Sequence, residues 1–306
     1  MHIPVLLNEV IENLHLKTGD TVVDATFGAG GHAKIISKRV GLKGAVIGFE
    51  KDERTYKAAK ENFNEYSNIK LINRGFEFLS EELVKLSIKK INAILFDLGV
   101  SSMQFDEEER GFSFRYDATL DMRFNIKQKL SAKEVVNTFS EDKLSNIIYK
   151  YGEDRFARRI AGAICRARKN TEISTTGMLK DIILHAVPVR RSEAMRTVTR
   201  TFQAIRIEVN NELEVLETGI RQALDVLENG GRLAVISFHS LEDRIVKRYF
   251  QNEAKDCICA PDILQCVCGH KKRLKIVTKS PITPGDDEIS LNQRSRSAKL
   301  RVCEKI

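Results

Sequence analysis

A short strand, a glycine-rich turn and a helix follow one another early in the chain, and together they can hold a charged ligand. The strand Thr21–Asp24 leads into a turn with glycines at 28, 30 and 31, and a helix begins at about residue 32. Glycine has no Cβ, so the backbone can turn tightly and approach a ligand, and the first N–H groups of the helix lack partners within it. The segment therefore predicts a nucleotide-type binding loop.

Acidic side chains end three of the predicted parallel strands, namely Asp24, Glu50 and Asp97. In a doubly wound sheet, ligands bind outside the carboxyl ends of the strands. The spacing Gly28-x-Gly30-x-x-Ala33, followed by Glu50, also fits the dinucleotide pattern. Three carboxylates would repel a pyrophosphate, however, and they favour S-adenosylmethionine, which carries a sulfonium, an ammonium and a ribose. NAD, in an oxidoreductase, is the alternative cofactor.

Strands alternate with helices at both ends of the chain and would position these groups. The predicted strands cover residues 21–24, 45–49, 69–72, 91–97, 232–237, 274–277 and 298–303, and a helix over 212–228 is stopped by Asn229-Gly230-Gly231. The run Ile91–Asp97 is apolar without alternation, as in a parallel strand buried on both faces. This pattern predicts an α/β fold with a doubly wound, mostly parallel sheet.

Strand-like runs disappear between residues 106 and 206, where the pattern becomes helical and rich in arginine. We expect a discontinuous catalytic domain, 1–105 and 207–306, interrupted by a helical, basic substrate-recognition insertion. Residues 155–206 carry an excess of nine positive charges, whereas the whole chain has a net charge of +8. Such a segment indicates either a polyanionic partner or a solvated helix face, and composition leaves both open.

Composition also bounds the class of protein. Hydrophobic residues make up 42% of the 306 residues and charged residues 30%, as in soluble globular proteins. No apolar run approaches the roughly 18 residues of a membrane span, and the first residues lack the pattern of an export signal. We expect a cytoplasmic protein without a membrane partner, as a monomer or homodimer.

The chain also resembles a known family over nearly its whole length. The resemblance rests on Pro4–Val10, Asp24–His32, Asp97–Ser102 with Gln104, Arg110–Phe114, Leu120–Arg123, Arg200–Ala204, Val235–Arg244 and Arg294–Arg301. In this order these segments resemble the ribosomal RNA small subunit methyltransferase H family (RsmH or MraW), which methylates the exocyclic N4 of a cytidine in the decoding region of 16S rRNA. The resemblance implies a Rossmann-like class I methyltransferase fold, S-adenosylmethionine as the cofactor, and 16S rRNA within the small ribosomal subunit as the partner.

The same resemblance implies a set of cofactor-binding residues. Gly30, Gly31 and His32 would line the methionine part, Glu50 would hold the ribose, Phe76 would lie by the adenine, and Asp97 and Gln104 would complete the pocket. Glu50 departs from the family, where Asp is usual, so the ribose contact would pass through a side chain one methylene longer. His32 can also be a helix-start residue held by backbone, and Phe76 can be a core residue.

Asp97 is the predicted catalytic residue. An aromatic amine is a poor nucleophile because its lone pair is delocalised into the ring, so an acceptor for its hydrogens would localise that pair as the bond forms. Asp97 ends the central strand at the turn Asp97–Ser102. We therefore expect Asp97, or a carbonyl of this turn, to accept from the target amine, and we assign no metal.

Two groups of residues are candidates for RNA contact. Arg110, Phe112 and Phe114 interleave arginine with aromatic rings, which suits base stacking or, alternatively, anchors the insertion to its core. The second group lies at helical spacings, which put several of its members on one face, where they would suit phosphate contacts. It consists of Arg155, Arg158, Arg159, Arg166 and Arg168. A non-catalytic RNA-binding or ribosome-assembly protein would keep these arginines too, without needing acidic strand ends. The modified nucleotide, and the choice between assembled subunits and naked rRNA, stay open.

Four of the six cysteines form the pattern Cys257-x-Cys259-x6-Cys266-x-Cys268, which precedes His270. This spacing is tighter than the Cys-x2–4-Cys of most structural zinc sites, so we expect reduced thiols in a surface excursion, with zinc as the alternative. His239 follows the last parallel strand, where it would either approach RNA or cap the next helix.

Overall fold

The computed structural model describes residues 4–99, 108–260, 263 and 265–306. The chain divides into two compact units, one formed by the residues up to Gly99 with those from Leu213 onward, and the other by residues 100–212. The boundaries predicted after residues 105 and 206 therefore move to 99 and 212. The second shift has a clear cause, because residue 206 lies inside a continuous helix, Arg191–Asn210.

Seven strands form one sheet in the first unit. They are β1 Thr21–Asp24, β2 Ala45–Phe49, β3 Ile69–Ile72, β4 Ile91–Asp97, β5 Leu227–Ser237, β6 Leu274–Ile276 and β7 Lys299–Lys305. Their order is β3-β2-β1-β4-β5-β7-β6, and β7 pairs antiparallel with both β5 and β6, whereas the other neighbouring strands pair in parallel. This confirms the predicted Rossmann-like, doubly wound sheet. The order reverses between β1 and β4, which is where such sheets bind ligands.

Twelve helices of at least six residues occur in the described part of the chain. They are α1 Leu7–Leu14, α2 Gly31–Val40, α3 Glu53–Asn62, α4 Leu79–Lys85, α5 Ala132–Thr138, α6 Glu141–Gly152, α7 Ala157–Ala167, α8 Thr176–Ala186, α9 Arg191–Asn210, α10 Glu212–Val226, α11 Ser240–Glu253 and α12 Asp286–Leu291. None of them, within the residues that the structure describes, is long and apolar enough to cross a membrane.

The central strand β4 is buried on both faces, as its sequence predicts. Ile94 and Phe96 belong to one apolar cluster, whereas Ala93 and Leu95 belong to another on the opposite face. Successive side chains of a strand point to opposite faces, so β4 separates the two cores. The polar group that ends this strand, Asp97, therefore lies at the edge of two well-packed layers.

The start of β5 differs from the prediction. Helix α10 ends at Val226 and the strand begins directly at Leu227, so Asn229-Gly230-Gly231 lies within the strand rather than stopping the helix. The pairing with β4 jumps there, from Leu227 opposite Ile91 to Arg232 opposite Ala93. Gly230 has a φ of +83°, so the glycine permits a bulge, which is the other common use of glycine near a strand.

The second unit is helical, as predicted, with its own apolar core. Helices α5 to α9 contribute Val135, Ile148, Ile160, Ile183 and Val198 to this core. Within residues 108–212, extended backbone pairs only at an isolated bridge between Thr119 and Thr175.

Candidate active site at the carboxyl ends of β1, β2 and β4

Asp24 and Asp97 end the two strands that flank the point where the sheet order reverses. Asp24 is 2% exposed, and its Oδ1 accepts from the Thr26 N–H at 3.2 Å. The Thr26 hydroxyl oxygen in turn accepts from the Asp97 N–H at 2.6 Å. Thr26 thereby ties the ends of β1 and β4 together. Sequence reasoning missed this role, because a threonine in a turn gives no signal of a partner 71 residues away.

Glu50, which follows β2, connects to the glycine turn. One carboxylate oxygen accepts from the Gly28 N–H at 3.0 Å, and the other accepts from the Asp52 N–H at 2.8 Å. A carboxylate can accept more than two hydrogen bonds, so these contacts orient the group and leave lone pairs for a ligand. The expected contact with a ribose stays a prediction.

The glycine turn is shaped by close packing as well as by backbone angles. Gly30 has a φ of +76°, and a Cβ there would lie 2.4 Å from the Phe63 ring. A Cβ on Gly31, the first residue of α2, would lie 2.5 Å from the Pro4 Cγ. Both positions therefore need glycine, and the turn holds its backbone N–H groups beside the strand ends.

The carboxyl groups of this site are hard to ionise. Burial raises the pKa of Asp24 to about 7 and that of Glu50 to about 7, where the charge of Asp52 adds to the rise. Burial also raises the pKa of Asp97 to about 8, with further contributions from Asp24 and Glu242. Removing a carboxylate from water disfavours its charged form, and a second negative charge disfavours it further. A cation at this point would reverse both effects.

Glu242 is an acidic neighbour of Asp97 that the sequence analysis did not single out. It lies in the first turn of α11, is 3% exposed, and accepts from the N–H groups of Phe238 and His239. The His239 side chain accepts from the Glu242 N–H at 3.4 Å, which completes a reciprocal cap. The structure thus supports the capping interpretation of His239. A carboxylate three residues after a cap residue is the signal that identifies this motif.

His32 lies beside Asp97. Its Nε2 is 3.0 Å from the Val5 carbonyl oxygen, and its Nδ1 is 3.7 Å from the Asp97 Oδ2. The backbone therefore holds the Nε2 side of the ring, as one interpretation predicted, and the Nδ1 side faces the site, as the other predicted. Its contact with a cofactor stays a prediction.

Phe76 and Gln104 were also expected in the cofactor pocket. The Phe76 ring packs edge-to-face on Phe96 with centroids 5.1 Å apart, and it leaves no room for a Cβ on Gly219. These are core contacts, and the adenine contact of Phe76 stays a prediction. Gln104 lies outside the described residues.

The structure corrects the prediction that Arg110 and Phe112 stack on RNA bases. Arg110 is 4% exposed and donates to the backbone carbonyls of Arg123 and Phe124, and Phe112 belongs to the core of the helical unit. Their alternative role, anchoring the extended segment to its core, is the one observed. Phe114 is half-buried against Phe202, and its contact with RNA stays a prediction.

The five predicted phosphate-binding arginines have different environments. Arg155 pairs with Glu193, Arg159 donates to the Ala186 carbonyl oxygen, and Arg168 donates to the Val136 carbonyl oxygen. By contrast, the exposed guanidinium groups of Arg158 and Arg166 have no hydrogen bond or ion pair with the described residues. The contacts of Arg155 and Arg159 place the start of α7 beside residues 186–193.

Two further exposed arginines lie within this segment, 186–193. Arg190 and Arg191 follow the segment that Arg159 contacts and precede Glu193, the partner of Arg155. We define Arg158, Arg166, Arg190 and Arg191 as the arginine surface of the helical unit. Spacing within a single helix could not group them, because α7 and α9 are distant in sequence.

The residues at the strand ends fit the cation that the sequence predicted. The Asp97 Oδ1 is buried and accepts no hydrogen bond from the described residues. Leaving a buried acceptor without a partner is costly, and an unpaired carboxylate oxygen beside other carboxyl groups suits a positively charged ligand far better than a pyrophosphate. This disfavours NAD.

A family model for the MraW methylase family matches residues 1–306. The chain belongs to this family. MraW methylases are S-adenosylmethionine-dependent methyltransferases, so membership confirms both the resemblance and the expected cofactor. The oxidoreductase alternative is thereby excluded.

Relatives match this chain over its full length. The protein named ribosomal RNA small subunit methyltransferase H from Clostridioides difficile (strain 630) is 50% identical over 100% of this chain and 99% of its own length. A protein of the same name from Finegoldia magna is 47% identical over 100% of this chain and 98% of its own length. The match to a solved rRNA methylase from Streptococcus thermophilus covers 98% of this chain and 93% of that one, at 14% identity and a TM-score of 0.43.

Proposed function

We propose that this MraW methylase transfers a methyl group from S-adenosylmethionine to the exocyclic N4 of a cytidine in the decoding region of 16S rRNA in the small ribosomal subunit. The relatives' names support the rRNA of the small subunit as the substrate. The observation that carries the chemistry is at the half-buried Asp97, whose buried Oδ1 accepts no hydrogen bond from the described residues and lies among acidic groups at the carboxyl end of the central strand.

Each residue of the site has a binding or orienting task in this proposal. S-adenosylmethionine supplies an electrophilic methyl group on a positively charged sulfur. Gly30 and Gly31 leave the backbone open to the methionine part, His32 faces the same site from the start of α2, and Glu50 binds the ribose through its remaining lone pairs. Phe76 would lie by the adenine, and Asp97 and Gln104 would complete the pocket.

Asp97 is the catalytic residue of the proposal. A nearby positive charge lowers the pKa of a carboxyl group, so Asp97 is ionised when the methyl donor is bound. Its carboxylate then accepts a hydrogen of the cytosine amine and localises the lone pair of that nitrogen. After methyl transfer the amine nitrogen must lose a proton, and the carboxylate can take it because its pKa in the free site is about 8.

The arginine surface would bind the rRNA backbone. Arginine grips phosphate oxygens with two parallel hydrogen bonds, and backbone contacts fix the register of a bound nucleic acid without reading its sequence. Three other arginines have partners within the helical unit, so we assign them to holding this surface in place and not to phosphate binding. They are Arg155, Arg159 and Arg168. The target base must also leave its stack to reach a methyl donor.

The experiment measures transfer of labelled methyl groups. Small subunits from cells lacking the gene are incubated with the enzyme and labelled S-adenosylmethionine, and their rRNA is digested to oligonucleotides whose modified base is identified and positioned by tandem mass spectrometry. We expect N4-methylcytidine at one decoding-region position, and a parallel reaction with naked 16S rRNA tests whether assembly is needed. Label in another base, or at a position outside the decoding region, would refute the proposed specificity. No transfer would favour the non-catalytic RNA-binding role.

The Asp97→Asn variant tests the role of the carboxylate. Asparagine preserves the size of the side chain but is a far weaker acceptor and cannot take the proton. We expect at least a hundredfold loss of turnover at saturating cofactor, in line with the loss of a positioned base. Near-normal turnover would assign the acceptor role to a backbone carbonyl instead.

A further inference from the structure

The described residues of the segment that joins α11 to β6 form no regular secondary structure and bury few apolar side chains. Its described residues between 254 and 273 contain no helix or strand. Large apolar side chains in it are exposed rather than buried, since Ile258, Ile263 and Val267 are 47%, 44% and 77% exposed. Long connections without secondary structure are uncommon in compact domains. A cross-link or a bound ion would hold such an excursion in one conformation.

The excursion instead gathers four thiols at one point. The Sγ atoms of Cys257, Cys259, Cys266 and Cys268 all lie within 4.8 Å of one another. Cys266 and Cys268 are 3.6 Å apart, and Cys268 and Cys257 are 3.7 Å apart. A tetrahedral zinc ion with Zn–S bonds of about 2.3 Å would place its sulfur ligands about 3.8 Å apart. The four thiols are therefore spaced like the corners of a zinc tetrahedron.

Backbone hydrogen bonds interlock the two cysteine pairs. The Ile258 N–H, between Cys257 and Cys259, donates to the Cys268 Sγ at 3.5 Å. In the opposite direction, the Val267 N–H, between Cys266 and Cys268, donates to the Cys259 Sγ at 3.4 Å. Groups of this kind orient and stabilise thiolate ligands around a metal.

Other uses of the four thiols fit less well. Disulfide bonds would join them in two pairs with sulfur atoms about 2.05 Å apart, whereas all six cysteines of the chain are free thiols. A two-iron or four-iron cluster occupies the space between its cysteines and would spread the sulfur atoms further. His270 is not part of the set, because its Nε2 lies 3.1 Å from the Asn252 carbonyl oxygen at the end of α11.

We propose that Cys257, Cys259, Cys266 and Cys268 bind one Zn²⁺ ion, which closes the excursion between α11 and β6. Each thiol gives its proton to solvent as its sulfur binds the metal, so four thiolates surround the ion. Zinc in a closed tetrahedron of four protein ligands serves structure rather than catalysis. It would take the place of an apolar core, which the described residues of this segment do not form, as in other small metal-stabilised folds.

The first test is the metal content of the full-length protein, purified without chelators or a histidine tag. We expect about one zinc per chain. The Cys257→Ser and Cys266→Ser variants should lose at least nine tenths of it, whereas Cys165→Ser, which alters a cysteine of the helical unit, should keep it. Zinc retained in both cluster variants, or absent from the wild type, would overturn the proposal. So would stoichiometric iron.

A second measurement does not depend on variants that fold. In the wild type, a mercurial reagent should release zinc in step with the modification of four thiols, followed with a colorimetric zinc indicator. Replacement by Co²⁺ should give the intense visible bands of tetrahedral cobalt together with thiolate charge-transfer bands. Limited proteolysis should cut residues 254–273 faster after zinc removal. Weak octahedral cobalt bands, or zinc release unrelated to thiol modification, would refute a four-thiolate site.

Discussion

Binding of S-adenosylmethionine should tighten as pH rises, because the cofactor must meet ionised carboxyl groups that the free site keeps protonated. With the pKa of Asp97 at about 8, roughly 3% of this carboxyl is ionised at pH 6.5 and roughly three quarters at pH 8.5. If binding requires the ionised form, the dissociation constant falls about 25-fold between these pH values, or about 1.9 kcal/mol. Asp24 and Glu50, with pKa values of about 7, each add about fourfold if they must ionise too.

Isothermal titration calorimetry at several pH values measures this effect directly. The amino group of the cofactor also titrates, so the wild type is compared at each pH with Asp97→Asn. The ratio of the two dissociation constants cancels the titration of the ligand. We expect this ratio to change about 25-fold in favour of the wild type from pH 6.5 to 8.5. A ratio that stays constant would refute the electrostatic account of the site.

The same titration has the opposite sign for the stability of the free protein. A carboxyl group whose pKa is raised by folding stabilises the folded state fully below its ordinary pKa, and this contribution is lost as pH rises through the folded value. The free energy of unfolding should therefore fall between pH 5 and pH 8 in chemical denaturation, and saturating S-adenosylmethionine should restore it at pH 8. A stability that increases over this range would contradict the raised pKa values.

Three substitutions test the neighbouring structure. Gly30→Ala should lower the free energy of unfolding by about 2 kcal/mol or more in urea denaturation, because the residue has a positive φ and a Cβ would meet the Phe63 ring. Thr26→Val, which preserves shape but removes the acceptor of the Asp97 N–H, should cost about 1 to 3 kcal/mol in the same assay, and Thr26→Ser should recover it. The double change Arg158→Glu and Arg166→Glu should weaken small-subunit binding at least tenfold in filter binding with cofactor affinity unchanged, whereas Lys43→Glu, an exposed control in the first unit, should not.

The parts of the site that follow one strand or one turn could be predicted from the sequence. Asp24, Glu50 and Asp97 each end an apolar run, and parallel strands bring such ends to one edge of the sheet. The glycine turn was predictable for the same reason, since its backbone conformation depends on local residues. These features need no knowledge of distant contacts.

The parts that were missed depend on contacts between distant segments. Thr26 and Glu242 act through partners that only the folded sheet brings near them. The burial of Arg110 could not be predicted either, because an arginine beside aromatic residues gives the same sequence pattern whether it lies on a surface or in a core. Asn229-Gly230-Gly231 was misassigned since glycine both ends helices and permits bulges, and only the pairing with β4 decides between them.

The position of β5 bears on how this enzyme is made. β5 pairs with β4 on one side and with β7 on the other. The entire helical unit is synthesised between β4 and β5, and the excursion with its four thiols is synthesised before β7. During translation, β5 therefore stays an open, strongly apolar edge until β7 emerges, and such edges invite aggregation. Nascent chains of this methylase should depend on chaperones in that interval.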